Sequence, residues 1–118
     1  MEVPTVERRR YFRLRFPVPE RPEFQTDQGT THVVEAAEKG IRISSIGLGK
    51  PGDWVFGRVK FRDGHSADVQ ACIFRVENGE TILKDVNGIS LADMMREQRR
   101  LLTKYAASDF LMAPRVAD

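Results

Sequence analysis

The sequence is poor in the residues that form disulfides and metal sites. Its 118 residues include one cysteine, Cys72, and two histidines, His32 and His65. A single thiol excludes an intramolecular disulfide, and these three residues do not have the spacing of a zinc site. Cys72 lies in the apolar run 71–74, where we expect a buried, unreactive thiol. Because phosphate-loop, dinucleotide and serine-nucleophile motifs are also missing, we expect neither catalysis nor a cofactor.

Long apolar segments and a large excess of one charge are missing as well. No run approaches the roughly 18 apolar residues that a membrane-spanning helix needs. The first residues lack a signal-peptide pattern, so we expect a cytoplasmic protein without membrane insertion. The 19 basic and 17 acidic side chains give a net charge of only +2. This small excess argues against a protein that coats long nucleic acid, so the basic residues must act through local clustering.

Several short segments alternate between apolar and polar residues, which is typical of half-buried strands. The predicted strands are residues 30–35, 41–44, 53–61, 67–73 and 81–86. Asp-Gly at 63–64 and Asn-Gly at 78–79 are hairpin signals between consecutive strands, and the glycine-rich residues 47–52 predict a loop.

Prolines and a glycine mark the borders of the first strands. Pro17, Pro19 and Pro22 predict an extended edge strand or a strand interrupted at its margin, because proline cannot donate to a central ladder. Residues 38–40 (Glu-Lys-Gly) predict a turn in which Gly40 is free to take a positive φ.

After the strands the period becomes helical. Ser90 with Asp93 resembles a capping box, and an apolar stripe follows it. The stripe comprises Leu91, Met94, Met95, Gln98, Leu101, Leu102 and Tyr105. We therefore predict a mainly β fold, a six-stranded antiparallel β-barrel with one C-terminal amphipathic helix at about 90–106. The helix either covers a barrel mouth or pairs with another chain. The predicted organisation is a flexible basic arm (1–10), the barrel with its helix (11–106) and a tail (107–118).

An arginine cluster near the N-terminus carries the clearest chemical signal. Residues 7–16 read Glu-Arg-Arg-Arg-Tyr-Phe-Arg-Leu-Arg-Phe. The guanidinium group is always charged, fits phosphate and guanine edges, and stacks on flat rings. Arg9 and Arg13 stand four apart, so together they can grip a small, planar, multiply charged ligand such as a nucleotide. A solvated basic tail is the alternative interpretation.

The order of these features resembles the PilZ domain, a six-stranded barrel family that binds the bacterial second messenger cyclic di-GMP. The first family signature, Arg-x-x-x-Arg with an arginine before it, matches Arg8, Arg9 and Arg13. The second, Asp/Asn-x-Ser-x-x-Gly, matches residues 35–40, where glycine is kept but glutamate and alanine replace the acid and the serine. A rival match at residues 42–47 keeps serine and glycine, but it puts arginine at the acidic position and leaves too few residues for the next strand. The resemblance covers residues 7–106.

The resemblance also implies roles for individual residues. Arg9 and Arg13 would contact guanine and phosphate, with Arg8 as a supporting phosphate contact. Glu35 would accept hydrogen bonds from guanine N1 and N2, and Gly40 would let the backbone approach the ligand. Ala37 lacks the hydroxyl of the family serine. Such a hydrogen bond is worth about 0.5–1.5 kcal/mol, so its loss weakens binding without abolishing it.

The function implied by this resemblance is a non-enzymatic receptor whose ligand-ordered arm signals to a partner protein in motility or biofilm control. Two other functions stay open. The chain could be a ligand-independent adaptor of the same fold in a pilus or motility assembly, or a small barrel that binds RNA or single-stranded DNA through its basic arm. The sequence also leaves open one bound ligand or an intercalated dimer of ligands, and a monomer or a homodimer of the protein.

Overall fold

The structure is a computed structural model that describes residues 13–37, 40–45 and 47–105. The predicted arm and tail lie outside the described residues, as do Arg8 and Arg9. Within the described part are seven strands, one α-helix and a short 3-10 turn at Val18–Glu20. The strands are β1 (Arg13–Arg15), β2 (Glu23–Thr26), β3 (Gly29–Ala37), β4 (Gly40–Ile43), β5 (Trp54–Lys60), β6 (Ser66–Glu77) and β7 (Glu80–Asn87), and the helix is α1 (Leu91–Lys104).

Six of the described strands form a closed antiparallel barrel. They follow the order β3-β2-β5-β6-β7-β4, and β4 pairs back with β3 to close the sheet. β1 pairs with the end of β3. The 3-10 turn interrupts the chain between β1 and β2, as the prolines predicted. The predicted fold class, a six-stranded antiparallel barrel with one C-terminal helix, is confirmed.

The alternating pattern of the strands builds the core. In β5, Val55 and Val59 are buried, whereas Trp54 and Phe56 are exposed, in keeping with the alternation along this segment. Each fully buried aliphatic or phenyl side chain contributes roughly 1.5–3 kcal/mol relative to its exposed state. The largest of the buried apolar side chains are Phe16, Phe24, Ile43, Ile73, Leu83 and Leu101.

The Asn-Gly hairpin between β6 and β7 is also confirmed. Asn78 has φ 52° and Gly79 has φ 78°. Two consecutive residues in the left-handed region define the type I′ turn, whose twist matches that of antiparallel strands. This short connection fixes how β6 and β7 pair.

Helix α1 begins with the predicted capping box. The Asp93 amide donates to Ser90 Oγ at 3.0 Å, and the Ser90 amide donates to Asp93 Oδ2 at 3.0 Å. Met94 and Leu101 join the barrel core, so the helix covers the barrel. None of the helices in the described residues is both long and apolar enough to span a bilayer.

The predicted apolar stripe of α1 is partly wrong. Leu91 and Met95 are exposed, whereas Glu97, which was not part of the predicted stripe, has an exposure of 0%. Arg100 makes this burial possible, because its guanidinium contacts the Glu97 carboxylate at 3.1 Å. The buried face is therefore narrower than the apolar pattern predicted and contains a charged pair.

Candidate functional site

A groove on the outside of the barrel collects the predicted site residues that the structure describes. Its cavity volume is about 340 Å³, within the range of about 300–1,000 Å³ typical of small-molecule sites. Arg13 of β1, Glu35 and Ala37 of β3, and Gly40 of β4 all line it. Four residues from the two predicted motifs, which are separate in sequence, thus border one space.

A bulge in β3 turns the second motif towards the groove. The pairing of β3 with β4 shifts between Val33 and Glu35, and Val33 and Val34 are both buried. Such a bulge changes the phase of alternation along a strand. The inward positions then continue at Ala36, so Glu35 and Ala37 point outward.

Strand β1 brings arginines beside these outward residues. Arg13 lies opposite Ala37 and Arg15 lies opposite Glu35, while Leu14 between them is buried. Side chains two apart in a strand share one face. Both arginines therefore lie on the face that carries Glu35.

Glu35 holds these two arginines through ion pairs. Arg13 Nε lies 3.3 Å from Glu35 Oε2, and Arg15 Nη1 lies 3.3 Å from Glu35 Oε1. The Glu35 side chain is only 16% exposed, whereas that of Arg13 is 74% exposed. Because a guanidinium has five N–H donors, Arg13 keeps donors for an anion that enters the groove. Arg15 was not predicted as a site residue, although the Arg-Leu-Arg alternation indicates that it shares a face with Arg13.

Gly40 is required for a reason other than the predicted one. It is the first residue of β4, and the two residues before it lie outside the described part of the chain. A Cβ atom at this position would lie 2.5 Å from the carbonyl oxygen of Leu83. Gly40 lies opposite Lys84 in the pairing of β4 with β7. Glycine is therefore needed because these two backbones approach each other at the border of the groove.

The preferred match of the second motif also fits the hairpin between β3 and β4. Glu35 ends the bulge of β3 and Gly40 begins β4. In the rival match Arg42 would be the first residue, but Arg42 lies inside β4 with its guanidinium 3.1 Å from Glu80 and 3.5 Å from Glu77.

The opposite wall of the groove was not predicted. It is formed by Phe74 of β6 and by Ile82 and Lys84 of β7. Phe74 is 45% exposed, and both Arg75 Cζ (5.2 Å) and Lys84 Nζ (5.4 Å) lie over its ring. The sequence contained a signal for this exposure. Phe74 directly follows Ile73, whose side chain points inward, so alternation along the strand puts Phe74 on the outer face.

A second charged cluster follows β1 and joins it to helix α1. Glu20 is buried and accepts bonds from Arg100 Nη1 at 2.9 Å, Lys104 Nζ at 2.6 Å and Tyr105 Oη at 2.9 Å. The Lys104 bond does most to lower the pKa of Glu20 from 4.5 to about 2. The bonds from Arg100 and Tyr105 also lower this pKa, whereas burial raises it. The bond that the Tyr105 hydroxyl donates to Glu20 raises the pKa of Tyr105. No sequence pattern predicted this cluster.

A second hollow in the described residues suits an anionic ligand less well. A slightly larger hollow of about 380 Å³ lies between residues 26–28, Leu48 and residues 54–56. Among its described lining residues the charged one is Asp27, which would repel a phosphate. The described residues contain no cluster of three or more histidine, cysteine or acidic side chains that could hold a metal ion.

The sequence model described as the PilZ domain matches residues 7–108, which is most of the 118-residue chain. The match includes both predicted motifs and extends beyond the end of helix α1. A search of curated proteins found no match to this chain.

Proposed function

Because this chain belongs to the PilZ domain family, a family of cyclic di-GMP receptors, we propose that it binds cyclic di-GMP through the groove and has no enzymatic activity. Arg8, Arg9 and Arg13 clamp the dinucleotide against the strand and turn at residues 35–40. The arm, ordered by the bound ligand, then signals to a partner protein in the cytoplasm, in motility or biofilm control.

The observation that carries the proposal is the shared groove. Arg13 supplies an exposed guanidinium at its edge, and Glu35 supplies a carboxylate held in place by two arginines. Arginine suits both the O6 and N7 acceptors of guanine and the phosphate oxygens. A fixed carboxylate suits the N–H donors on the opposite edge of the base. The groove therefore offers donors and acceptors for both parts of a guanine nucleotide.

The energies of the expected hydrogen bonds favour binding in spite of the altered second motif. A hydrogen bond to a charged group is worth about 1.5–3 kcal/mol, whereas the neutral bond missing at Ala37 is worth about 0.5–1.5 kcal/mol. Two or more arginine contacts outweigh one lost hydroxyl. Arg13 must, however, share its charge between Glu35 and the ligand, which lowers the gain from that contact.

The first test is calorimetric titration of the protein with cyclic di-GMP. Wild type should bind in the micromolar range or tighter, and Arg13→Ala and Arg9→Ala should each weaken binding at least about tenfold. Arg58→Ala is the matched control. Arg58 lies on β5, pairs with Asp68 at 2.9 Å and does not line the groove. Arg58→Ala removes the same charge at a position outside the groove, so it should leave the affinity unchanged.

A ligand-independent adaptor is the second candidate function, and the ion pairs of Glu35 favour it. The single carboxylate already contacts both Arg13 and Arg15 and offsets part of their positive charge, and Ala37 cannot replace the missing serine. No heat of binding from folded wild type would support the adaptor and refute the receptor. Equal affinities of wild type and Arg13→Ala would instead show binding outside the groove.

The same titration distinguishes binding to nucleic acid. A single-stranded oligonucleotide replaces the dinucleotide at low and then at moderate salt. A protein that binds through phosphate contacts loses affinity steeply as salt rises. Preference for the oligonucleotide over cyclic di-GMP at both salt concentrations would contradict the receptor.

A further inference from the structure

The wall of the groove opposite Arg13 combines an exposed aromatic ring with positive charge. Phe74 and Lys84 line it, and neither belongs to the two motifs. Phenylalanine is usually buried, whereas this ring is 45% exposed. Its position beside a site for an anion calls for a physical explanation.

The backbone of β6 is shaped so that Phe74 points outward. Ile73 lies opposite Leu83 and Arg75 lies opposite Ile82, so Phe74 is the additional residue of a bulge. Ile73 is buried, whereas Phe74 and Arg75 are both exposed. Bulges redirect side chains and are frequent beside functional sites. Here the bulge places the ring at the groove.

The cations around this ring match the chemistry of a nucleotide. Arg75 and Lys84 lie over it at 5.2 and 5.4 Å, within the range of cation–π attraction. Flat aromatic faces bind bases by stacking, and nearby basic groups bind the phosphates. Lys84 follows the groove-lining residues Ile82 and Leu83 along β7, so its ammonium group can reach an anion in the groove.

We propose that Phe74 is the stacking surface for one guanine of cyclic di-GMP and that Lys84 contacts the adjacent phosphate. The inference rests on the proposed function, because it assigns further residues to the same groove. Arg13 binds the ligand from one wall, and Phe74 with Lys84 binds it from the other. The specificity of the groove for a purine then depends on β6 and β7 as well as on the two motifs.

Calorimetric titration of cyclic di-GMP against Phe74 variants tests the stacking. Phe74→Ala should weaken binding about fivefold or more, and Phe74→Leu, which keeps apolar bulk without an aromatic face, should weaken it similarly. Phe74→Trp should bind at least as tightly as wild type. Phe56→Ala is the matched control, because Phe56 is an exposed phenylalanine on β5 that does not line the groove. Thermal unfolding establishes that every variant is folded.

A fluorescence readout separates stacking from a structural role. The chain has one tryptophan, Trp54, so Trp54→Phe combined with Phe74→Trp places a single indole at the groove. Cyclic di-GMP should quench this indole, and it should leave the emission of Trp54 in wild type nearly unchanged. A ring that only packs against neighbouring side chains would not produce this difference.

The outcomes distinguish this inference from the proposed function. Wild type that binds no cyclic di-GMP overturns both. Wild type that binds, together with loss in Arg13→Ala and unchanged affinity in Phe74→Ala and Phe74→Leu, overturns the stacking surface alone. Lys84→Met should weaken binding and reduce its salt dependence. An unchanged salt dependence in this variant would refute the phosphate contact.

Discussion

Replacing Glu20 by glutamine should destabilise the protein mainly at neutral pH. The Glu20 carboxylate is buried and bonded to Arg100, Lys104 and Tyr105. These contacts lower its pKa from 4.5 to about 2. One pKa unit corresponds to about 1.4 kcal/mol, so the shift corresponds to roughly 3 kcal/mol at most. Lys104 is more than half exposed, and solvent screening reduces the expected loss to about 2–3 kcal/mol.

The direction of the pH dependence follows from the sign of the shift. A carboxyl group whose pKa is lower in the folded state stabilises the fold fully above its unfolded pKa, here about 4.5. That contribution is lost as the pH falls from this value towards about 2. Glutamine cannot ionise, so Glu20→Gln lacks the pH-dependent contribution throughout. The difference in stability between the two proteins should therefore shrink as the solution becomes acidic.

Urea denaturation of both proteins at several pH values from about 7 to about 3 measures this difference. The other carboxylates titrate in both proteins, so the difference isolates Glu20. A double-mutant cycle with Lys104→Met then gives the coupling between the two side chains, which should be about 0.5–3 kcal/mol. A difference near zero at neutral pH, or one that is equally large at about pH 3, would refute the reasoning.

Three further changes test the backbone approach, the helix cap and the altered motif. Gly40→Ala should lower the free energy of unfolding by about 1–3 kcal/mol in urea because its Cβ meets the Leu83 carbonyl, whereas Gly47→Ala, with open space around it, should be close to neutral. Ser90→Ala removes half of the capping box and should cost about 1 kcal/mol by the same measurement, and an unchanged midpoint would contradict that value. Ala37→Ser should tighten cyclic di-GMP binding about threefold to tenfold by calorimetry, and equal affinity would show that the hydroxyl makes no contact.

The sequence predicted those features that depend on local pattern. Alternation in residues 53–61 identified β5, and Asn-Gly identified the turn between β6 and β7. Ser90 and Asp93 marked the start of the helix. Each of these features is determined by residues within a few positions of one another, so a single sequence contains the whole signal.

Features that depend on pairing between distant segments could not be predicted in this way. Gly40 was assigned to a turn because glycine can take a positive φ, yet its requirement comes from Leu83 on another strand. Glu97 was not part of the predicted apolar stripe, yet it is buried and paired with Arg100. The bulge that exposes Phe74 depends on how β6 pairs with β7. Spacing along the chain does not encode these contacts.

The ion pairs of Glu35 show how such pairing changes the interpretation of a motif. On sequence alone, glutamate at this position is a longer acid that would reach differently towards a base. In the fold, the pairing of β1 with β3 sets Arg15 opposite Glu35, and the carboxylate contacts both Arg13 and Arg15. An anionic ligand must then compete with Glu35 for Arg13, so the strength of these ion pairs is part of the ligand affinity. The effect of glutamate at position 35, in place of the family's aspartate or asparagine, thus depends on the charge balance of β1 as much as on the reach of one side chain.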